Sequence, residues 1–169
     1  MDLRHLLAKE IADGIIATGV EGGFDSVSCS TAGNYPSMGV SQWEGSRGDN
    51  LLSWIDAGRK FMGRSYSDIV NAGELYELKH VLSSPQGQHA QREILAYDCL
   101  VYADALMPLI ADSKCVIYAG IYPGQQIIAT LAFPLAHAHG RVVTGSAAAY
   151  RVKTALNAGG NNAIGYFFC

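Results

Sequence analysis

One stretch of this chain can belong to no helix, and it limits everything around it: Glu21–Trp43, EGGFDSVSCSTAGNYPSMGVSQW. Gly22, Gly23, Gly33 and Gly39 punctuate it, Pro36 removes a backbone donor, and small hydroxyl residues fill much of the space between. A core element would be richer in Leu, Ile and Val; this composition suits turns and a short hairpin. Gly33-Asn34-Tyr35-Pro36 is a turn sequence, and Val27 and Met38/Val40 supply short strand segments on either side. Upstream, Leu3, Leu6, Leu7, Ile11, Ile15 and Ile16 recur at helical spacing. They predict a helix over 3–18 that Gly19 ends. Glu21 then lies just past a helix exit, where an acid can face a cleft.

Downstream the pattern is helical again. Leu51, Leu52, Trp54, Ile55 and Phe61 predict a second helix from Asp49 to Met62, starting near Ser46 or Gly48-Asp49. Residues 66–82 read as two short helices broken at Gly73. Ser83-Ser84-Pro85 places proline in a first helical turn, a strong start signal. The segment 86–111 is the longest helix expected. Its apolar residues, from Ala90, Ile94 and Leu95 to Leu106 and Leu109, cover much of the circumference, so a largely buried central helix follows, ended or kinked by Pro108. Segments 113–122 and 125–135 are short and apolar, separated by Pro123-Gly124. An Ala-rich helix over 144–157 stops at Gly159-Gly160, before an aromatic tail. The expectation is one domain over 1–169, mainly α, with a helical body and one small β hairpin after the first helix. Helix should exceed about 45% and strand stay under about 12%.

Bulk properties exclude several classes. A chain of 169 residues can bury a substantial core. With a net charge of -3 and no Lys/Arg stripe it offers nucleic acid no electrostatic footprint. Charged residues are 16% against a typical 25% or so, and hydrophobic residues 49%, which fits a large buried fraction or a partly apolar partner surface. The oligomeric state stays open. No run approaches the roughly 18 apolar residues a membrane span needs, so no membrane insertion is expected. Asp2, Glu10 and Asp13 lie within the first helical pattern, unlike a signal peptide. Cys29, Cys99, Cys115 and Cys169 are scattered, with no CxxC and no close His partner, which disfavours zinc and favours free, buried thiols. Cys99 and Cys115, both in apolar runs, should be buried and reduced. His137 and His139, in AHAHGR, have no acid nearby and read as a surface loop rather than a metal pair. No metal and no cofactor is expected.

Glu21-Gly-Gly, a polar stretch, then Ser37-Met-Gly-Val-Ser-Gln42-Trp43 resembles the signature of the lysozyme-like superfamily. It is most similar to glycosyl-hydrolase domains of phage endolysins, soluble lytic transglycosylases and goose-type lysozymes. Gly39-Val40-Ser41-Gln42 stands where those proteins carry a Gly-Leu-Met-Gln-like run. Gly45-x-Arg47…Leu51-Leu52 resembles a Gln-Trp-x-Gly-x-Arg pattern of endolysin domains. Ser84-Pro85-x-Gly87…Ala90-Gln91…Asp98…Tyr102 is similar to their long helix. The similarity touches residues from about 15 to 105. Two departures stand out: Glu21 is followed by Gly rather than Ser, and Val-Ser replaces the usual Leu-Met.

The resemblance implies a lysozyme-like fold and a muralytic enzyme that cleaves the peptidoglycan glycan strand, of the phage or prophage endolysin or tail-lysin kind. It would be made in the bacterial host cytoplasm and act at the cell wall, after holin release or virion delivery. Glycoside cleavage needs a carboxyl group still protonated near neutral pH, and desolvation provides it by disfavouring the anion. Glu21 has apolar Val20 and Phe24 close in sequence and no adjacent Lys or Arg. On its own it reads as a solvated helix-end carboxylate; the order of the motifs makes it the general acid. A second carboxylate would lie about 5 Å away in a retaining enzyme and about 6.5–9.5 Å away in an inverting one. Asp25 is the only acid inside the excursion, either in that role or bracing the hairpin. Lytic transglycosylases need none, since the substrate's own hydroxyl attacks.

By family position Ser37 would orient a water or the acetamido group, with Ser30 and Asn34 in similar roles. Gln42 would contact sugar, and Trp43 either stacks on a sugar face or anchors the hairpin to the core. Tyr35 and Tyr102 complete the substrate side chains. Asp98 holds a structural hydrogen bond or lines the cleft; Tyr97 lies on the same long helix, and Tyr118 and Tyr122 either wall the cleft or pack between helices. The alternative is a non-catalytic structural or wall-binding module of a phage particle on the same fold. A cysteine amidase using Cys29 with His137 or His139 lacks both a nucleophile context and a downstream acid.

Overall fold

A computed structural model describes residues 2–19 and 22–111. About two thirds of it is helical (66%), with one antiparallel pair of short strands, so the class is mainly α. The elements are α1 (Leu3–Thr18), β1 (Val27–Cys29), β2 (Pro36–Met38), a 3-10 turn (Gly39–Ser41), α2 (Gly45–Trp54), α3 (Gly58–Phe61), α4 (Tyr66–Asn71), α5 (Leu75–Ser83), α6 (Pro85–Asp98) and α7 (Leu100–Ala111). The segments expected over 113–122, 125–135 and 144–157 lie outside the described residues. Backbone contacts divide the chain into two compact units, Gly19–Leu95 and Met1–Thr18 with Ala96–Cys169.

In the second of these, α1 starts at Asp2, whose carboxylate accepts the His5 N–H at 2.9 Å and satisfies an orphan donor of the first turn. The helix has the bounds its periodicity predicts. Leu7, Ala8, Ile11, Ala12 and Ile15 are buried, whereas Leu6 falls off that face and is exposed. α1 packs on α7, with Ala103 of α7 and Cys99, just before its start, both fully buried. Arg4 closes the pair with a two-pronged bond to Asp104 at 2.5 and 2.8 Å. That guanidinium holds the exposed Asp104 carboxyl below its ordinary range.

The other unit carries the excursion and α2 to α6. Ser65 begins α4 with a capping box: its hydroxyl accepts the Asp68 N–H at 3.1 Å while Asp68 reaches back to the Ser65 N–H. Gly73, at φ 70°, separates α4 from α5 as expected. Ser84 ends α5 and starts α6, its hydroxyl accepting the Gly87 N–H at 3.0 Å, with Pro85 the first helical residue. Leu51, Leu52, Phe61, Ile69, Leu78 and Leu82 are its most deeply buried aliphatic and aromatic side chains. Ion pairs of Lys60, in α3, with Glu77 (2.6 Å) and of Arg64, in the loop that follows, with Glu74 tie α3 and that loop to α5 and the residue before it.

Three expectations are corrected. The helix predicted from Asp49 to Met62 is two helices, because Asp56 adopts φ 58°, which Asp tolerates better than most side chains. Gly58 then lets the chain fold back on α2, since a Cβ there would lie 2.9 Å from the Leu52 carbonyl oxygen. The long helix over 86–111 is interrupted at Cys99, and its surface is mixed, with Tyr97 and Val101 exposed. Of the two effects expected of Pro108, an end or a kink, the first is contradicted, since α7 runs on to Ala111; a proline forfeits one backbone bond, while its neighbours keep theirs.

Gly87 marks the tightest approach in the helical body. A Cβ there would stand 2.3 Å from the Val81 carbonyl oxygen and 2.4 Å from that of Leu82, both backbone atoms. Gly87→Ala should therefore cost about 2–3 kcal/mol by overpacking. Gly73→Ala meets open space and should cost only the left-handed backbone penalty, about 1–2 kcal/mol. Urea unfolding midpoints of the two variants check the order, and a Gly87→Ala midpoint equal to wild type would contradict this packing.

Candidate functional site

The excursion is a hairpin with a hydrogen-bonded base. Gly22, at φ 135°, needs the freedom only glycine has, and a Cβ there would lie 2.5 Å from Ser26 Oγ and 3.4 Å from Gln42 Nε2. The Gly23 N–H donates to Ser26 Oγ at 2.8 Å and the Ser26 N–H returns to the Gly23 carbonyl at 3.1 Å, closing the turn before β1. Val27, Ser28 and Cys29 then pair with Met38, Ser37 and Pro36. After β2 the 3-10 turn reverses the chain, and Met38 and Trp43 exchange two backbone bonds at 2.9 Å.

This geometry gathers Ser28, Ser37 and Gln42 into one polar cluster. Both hydroxyls donate to Gln42 Oε1, Ser28 at 3.2 Å and Ser37 at 3.1 Å. Gln42 Nε2 donates to the Gly39 carbonyl at 2.8 Å. Gln42 itself sits in the left-handed region, φ 49°, which turns its side chain back over the hairpin. The cluster is neutral and, at Ser37, nearly closed to solvent (8% exposed).

The remaining residues named from the sequence are placed as follows. Glu21 lies outside the described residues, as do Tyr118, Tyr122, His137, His139, Cys115 and Cys169. Asp25 is exposed in the turn, and the bracing bonds there come from Ser26. Asn34 clips the hairpin tip to the start of α4: its amide donates to Ser67 Oγ, and its carbonyl accepts the Tyr66 N–H at 2.9 Å. Ser30 Oγ accepts the Ala32 N–H inside the tip. Tyr35 is half exposed, lying over Gly33. Trp43 is 3% exposed, so its ring serves as an anchor and shows no open face. Tyr102 belongs to α7, in the unit with α1.

Strand alternation puts Pro36 and Met38 on the face opposite Ser37. There they border a cavity of about 360 Å³ with Tyr35, Ser46, Asp49 and Arg64. Asp49 is fixed by accepting the Gly63 N–H at 2.8 Å, and Arg64 by its bond to Glu74. The hairpin thus has a polar cluster on one face and a mixed cavity on the other. Among the described residues no three His, Cys, Asp or Glu side chains converge as metal ligands would, and no helix is long and apolar enough to cross a membrane.

Compared with protein-family models, curated proteins and solved structures, the chain matches none. The residue roles therefore rest on geometry. One residue missed as a site element is Gln91, fully buried on α6, whose side chain bonds to Val40, Phe24 and Leu82. Its signal was available: it shares a helix face with Gly87, Ala90, Ile94 and Leu95, a single polar side chain among buried positions.

The two described thiols differ sharply. Cys29 is exposed, 3.7 Å from the Asn34 side-chain oxygen, while Cys99 is buried, and both are free. Burial, helped by the nearby Asp98 charge, pushes the Cys99 thiol up to about 12. The raised value favours the protonated thiol in the folded chain. Its contribution to stability is complete below the ordinary 9.0 and is lost as pH rises from there toward about 12. A thiol reagent at pH 8 should modify Cys29 in the native protein and reach Cys99 only on unfolding, as read by peptide mass mapping. Equal labelling of both in the native state would contradict the buried placement.

Proposed function

We propose that this chain cleaves the glycan strand of peptidoglycan on a lysozyme-like fold, with Glu21 as the general acid, in the manner of phage endolysins and tail lysins. The observation that carries this reading is the position of Gly22, the residue bonded to Glu21. Its backbone lies beside the Gln42 amide, which in turn holds Ser37. The order along the chain is helix, acid, hairpin and helices, with the polar cluster at the point where the acid is attached. A general acid near that cluster could protonate the leaving glycosidic oxygen while neutral hydroxyl and amide groups orient the sugar or a water. An exposed Asp25 is available to a hydrolytic mechanism, and transglycosylation requires no second carboxylate.

A second reading, a structural or wall-binding module of a phage particle, draws on a specific observation. Much of the polar equipment of the hairpin is engaged in holding the hairpin. Gln42 is bonded at both ends of its amide, Asn34 is bonded to Ser67, and Trp43 is buried. The two readings diverge at one atom, the transferable proton of Glu21.

Glu21→Gln keeps shape and hydrogen-bonding capacity and removes that proton. The wall-lytic rate should fall at least about 10²–10⁴-fold, the usual contribution of a positioned acid. Glu44→Gln, at an exposed residue before α2, should keep most of the rate. Clearing of purified peptidoglycan measures both, and mass spectrometry of the released sugars separates hydrolysis from transglycosylation. Equal rates for wild type and Glu21→Gln would remove Glu21 as the acid. Binding of wall without clearing by either would favour the module.

A further inference from the structure

The hairpin face opposite Ser37 is built differently from the polar cluster. Its cavity, about 360 Å³, lies wholly within the unit Gly19–Leu95 and has the size of a small-molecule site. Three side chains give it apolar surface. Pro36 and Met38 are buried residues of β2, and the half-exposed ring of Tyr35 joins them in the lining. That ring rests on Gly33, where a Cβ would lie 2.9 Å from it. Tyrosine offers a broad, rigid contact face at little cost in rotamer entropy. Two groups of opposite charge line the same cavity. Asp49 Oδ1 accepts the Gly63 N–H at 2.8 Å, which leaves Oδ2 as an acceptor. Arg64 gives Nη1 to Glu74 and Nη2 to the Asp68 carbonyl at 3.2 Å, which leaves its Nε–H as a donor. Ser46, exposed in the first turn of α2, adds a hydroxyl.

These two charges restrict what can enter. An ammonium drawn to Asp49 would share the cavity with the Arg64 guanidinium, and a carboxylate drawn to Arg64 would meet Asp49. Like charges held that close repel. A neutral ligand with several hydroxyls meets neither penalty: one hydroxyl donates to Asp49, and another offers its oxygen to Arg64. The lining of Tyr35, Pro36 and Met38 requires in addition an apolar face on the ligand. A pyranose ring has both features, hydroxyls around its edge and C–H bonds across its face. We propose that this cavity binds a neutral pyranose sugar, with Tyr35 against the ring face and Asp49 and Arg64 on its hydroxyls. The site uses none of Ser28, Ser37 and Gln42 and breaks no bond, so it stands whether or not the chain cleaves glycan.

Calorimetric titration of the full chain with triacetylchitotriose and with cellotriose tests this, with glycylglycine as a zwitterionic probe. At least one of the sugars should bind and glycylglycine should not. The sugar affinity should be equal at about 0.05 M and about 0.5 M salt, since the ligand has no charge to screen. Tyr35→Ala removes the ring and should weaken binding about tenfold. Asp49→Asn keeps an oxygen for the Gly63 N–H but turns an amide donor toward the ligand where an acceptor is needed, and should also cost about tenfold. Tyr76→Ala, at an exposed aromatic residue outside the cavity, should bind as wild type does. Amide shifts in the wild-type NMR spectrum should move on sugar addition at Ser46, Gly63 and Arg64, and this mapping decides if either variant fails to fold. Binding of neither sugar overturns the proposal, as does a shift pattern centred elsewhere, or full affinity in both Tyr35→Ala and Asp49→Asn. Salt-sensitive binding of glycylglycine in place of the sugars would assign the cavity to a zwitterion instead.

Discussion

The buried amide of Gln91 holds in place a hairpin that its own strands could not. Strands of three residues, paired once, are marginal in water, and an isolated two-stranded hairpin lacks independent stability. What fixes this one is attachment to helices. Gln91 joins Phe24, Val40 and Leu82, Asn34 joins the tip to Ser67, and Trp43 is buried beneath the base. Leaving a buried backbone group unpaired costs about 1–3 kcal/mol, and a domain has only about 5–15 kcal/mol in total. A residue satisfying three such groups therefore matters more than most of the apolar core around it. Consistently, among the described residues no buried side-chain nitrogen or oxygen lacks a partner.

Punctuation was legible in the sequence where one residue type has one physical use. Gly73 separates α4 from α5 because its φ of 70° suits glycine, and Ser84-Pro85 opens α6 because a capping hydroxyl and a fixed φ are both useful there. Leu3–Thr18 is a helix with the bounds its spacing predicts. The hairpin, too, was readable as a composition. Its register, Val27 with Met38 through Cys29 with Pro36, was not, since three-residue strands carry too little alternation to choose a pairing.

The errors share a cause: periodicity reports which side chains are apolar and not where the backbone turns. Leu51, Leu52 and Phe61 are all buried, as one helix would have them, yet Asp56 and Gly58 fold the segment back on itself. The apolar residues of 86–111 likewise continue past Cys99, where the helix does not. For the site, the polar residues of the excursion were visible as a set, but their roles depend on contacts between distant positions. Asn34 and Ser67 are 33 residues apart, and Val40 and Gln91 are 51. No local pattern encodes such a pair. The one available clue was a lone glutamine on an apolar helix face, where an unpartnered amide would be too costly to keep.

The placement of the glycines bears on why the hairpin has this form. Close-packed glycines lie at both ends of the hairpin: Gly22 against Ser26 and Gly39, at φ 70°, against Gln91 at the base, and Gly33 against the Tyr35 ring at the tip. Glycine at such positions carries an entropic cost in folding, which a surface loop could avoid by standing slightly further from the body. Close approach at the base serves to bring the Gly22 backbone, the Gln42 amide and the Ser37 hydroxyl within a few ångströms. A tip clamp such as Asn34–Ser67 could stabilise a looser hairpin equally well. Closeness at the base would suit the proposed site, since catalytic geometry must be held before substrate arrives.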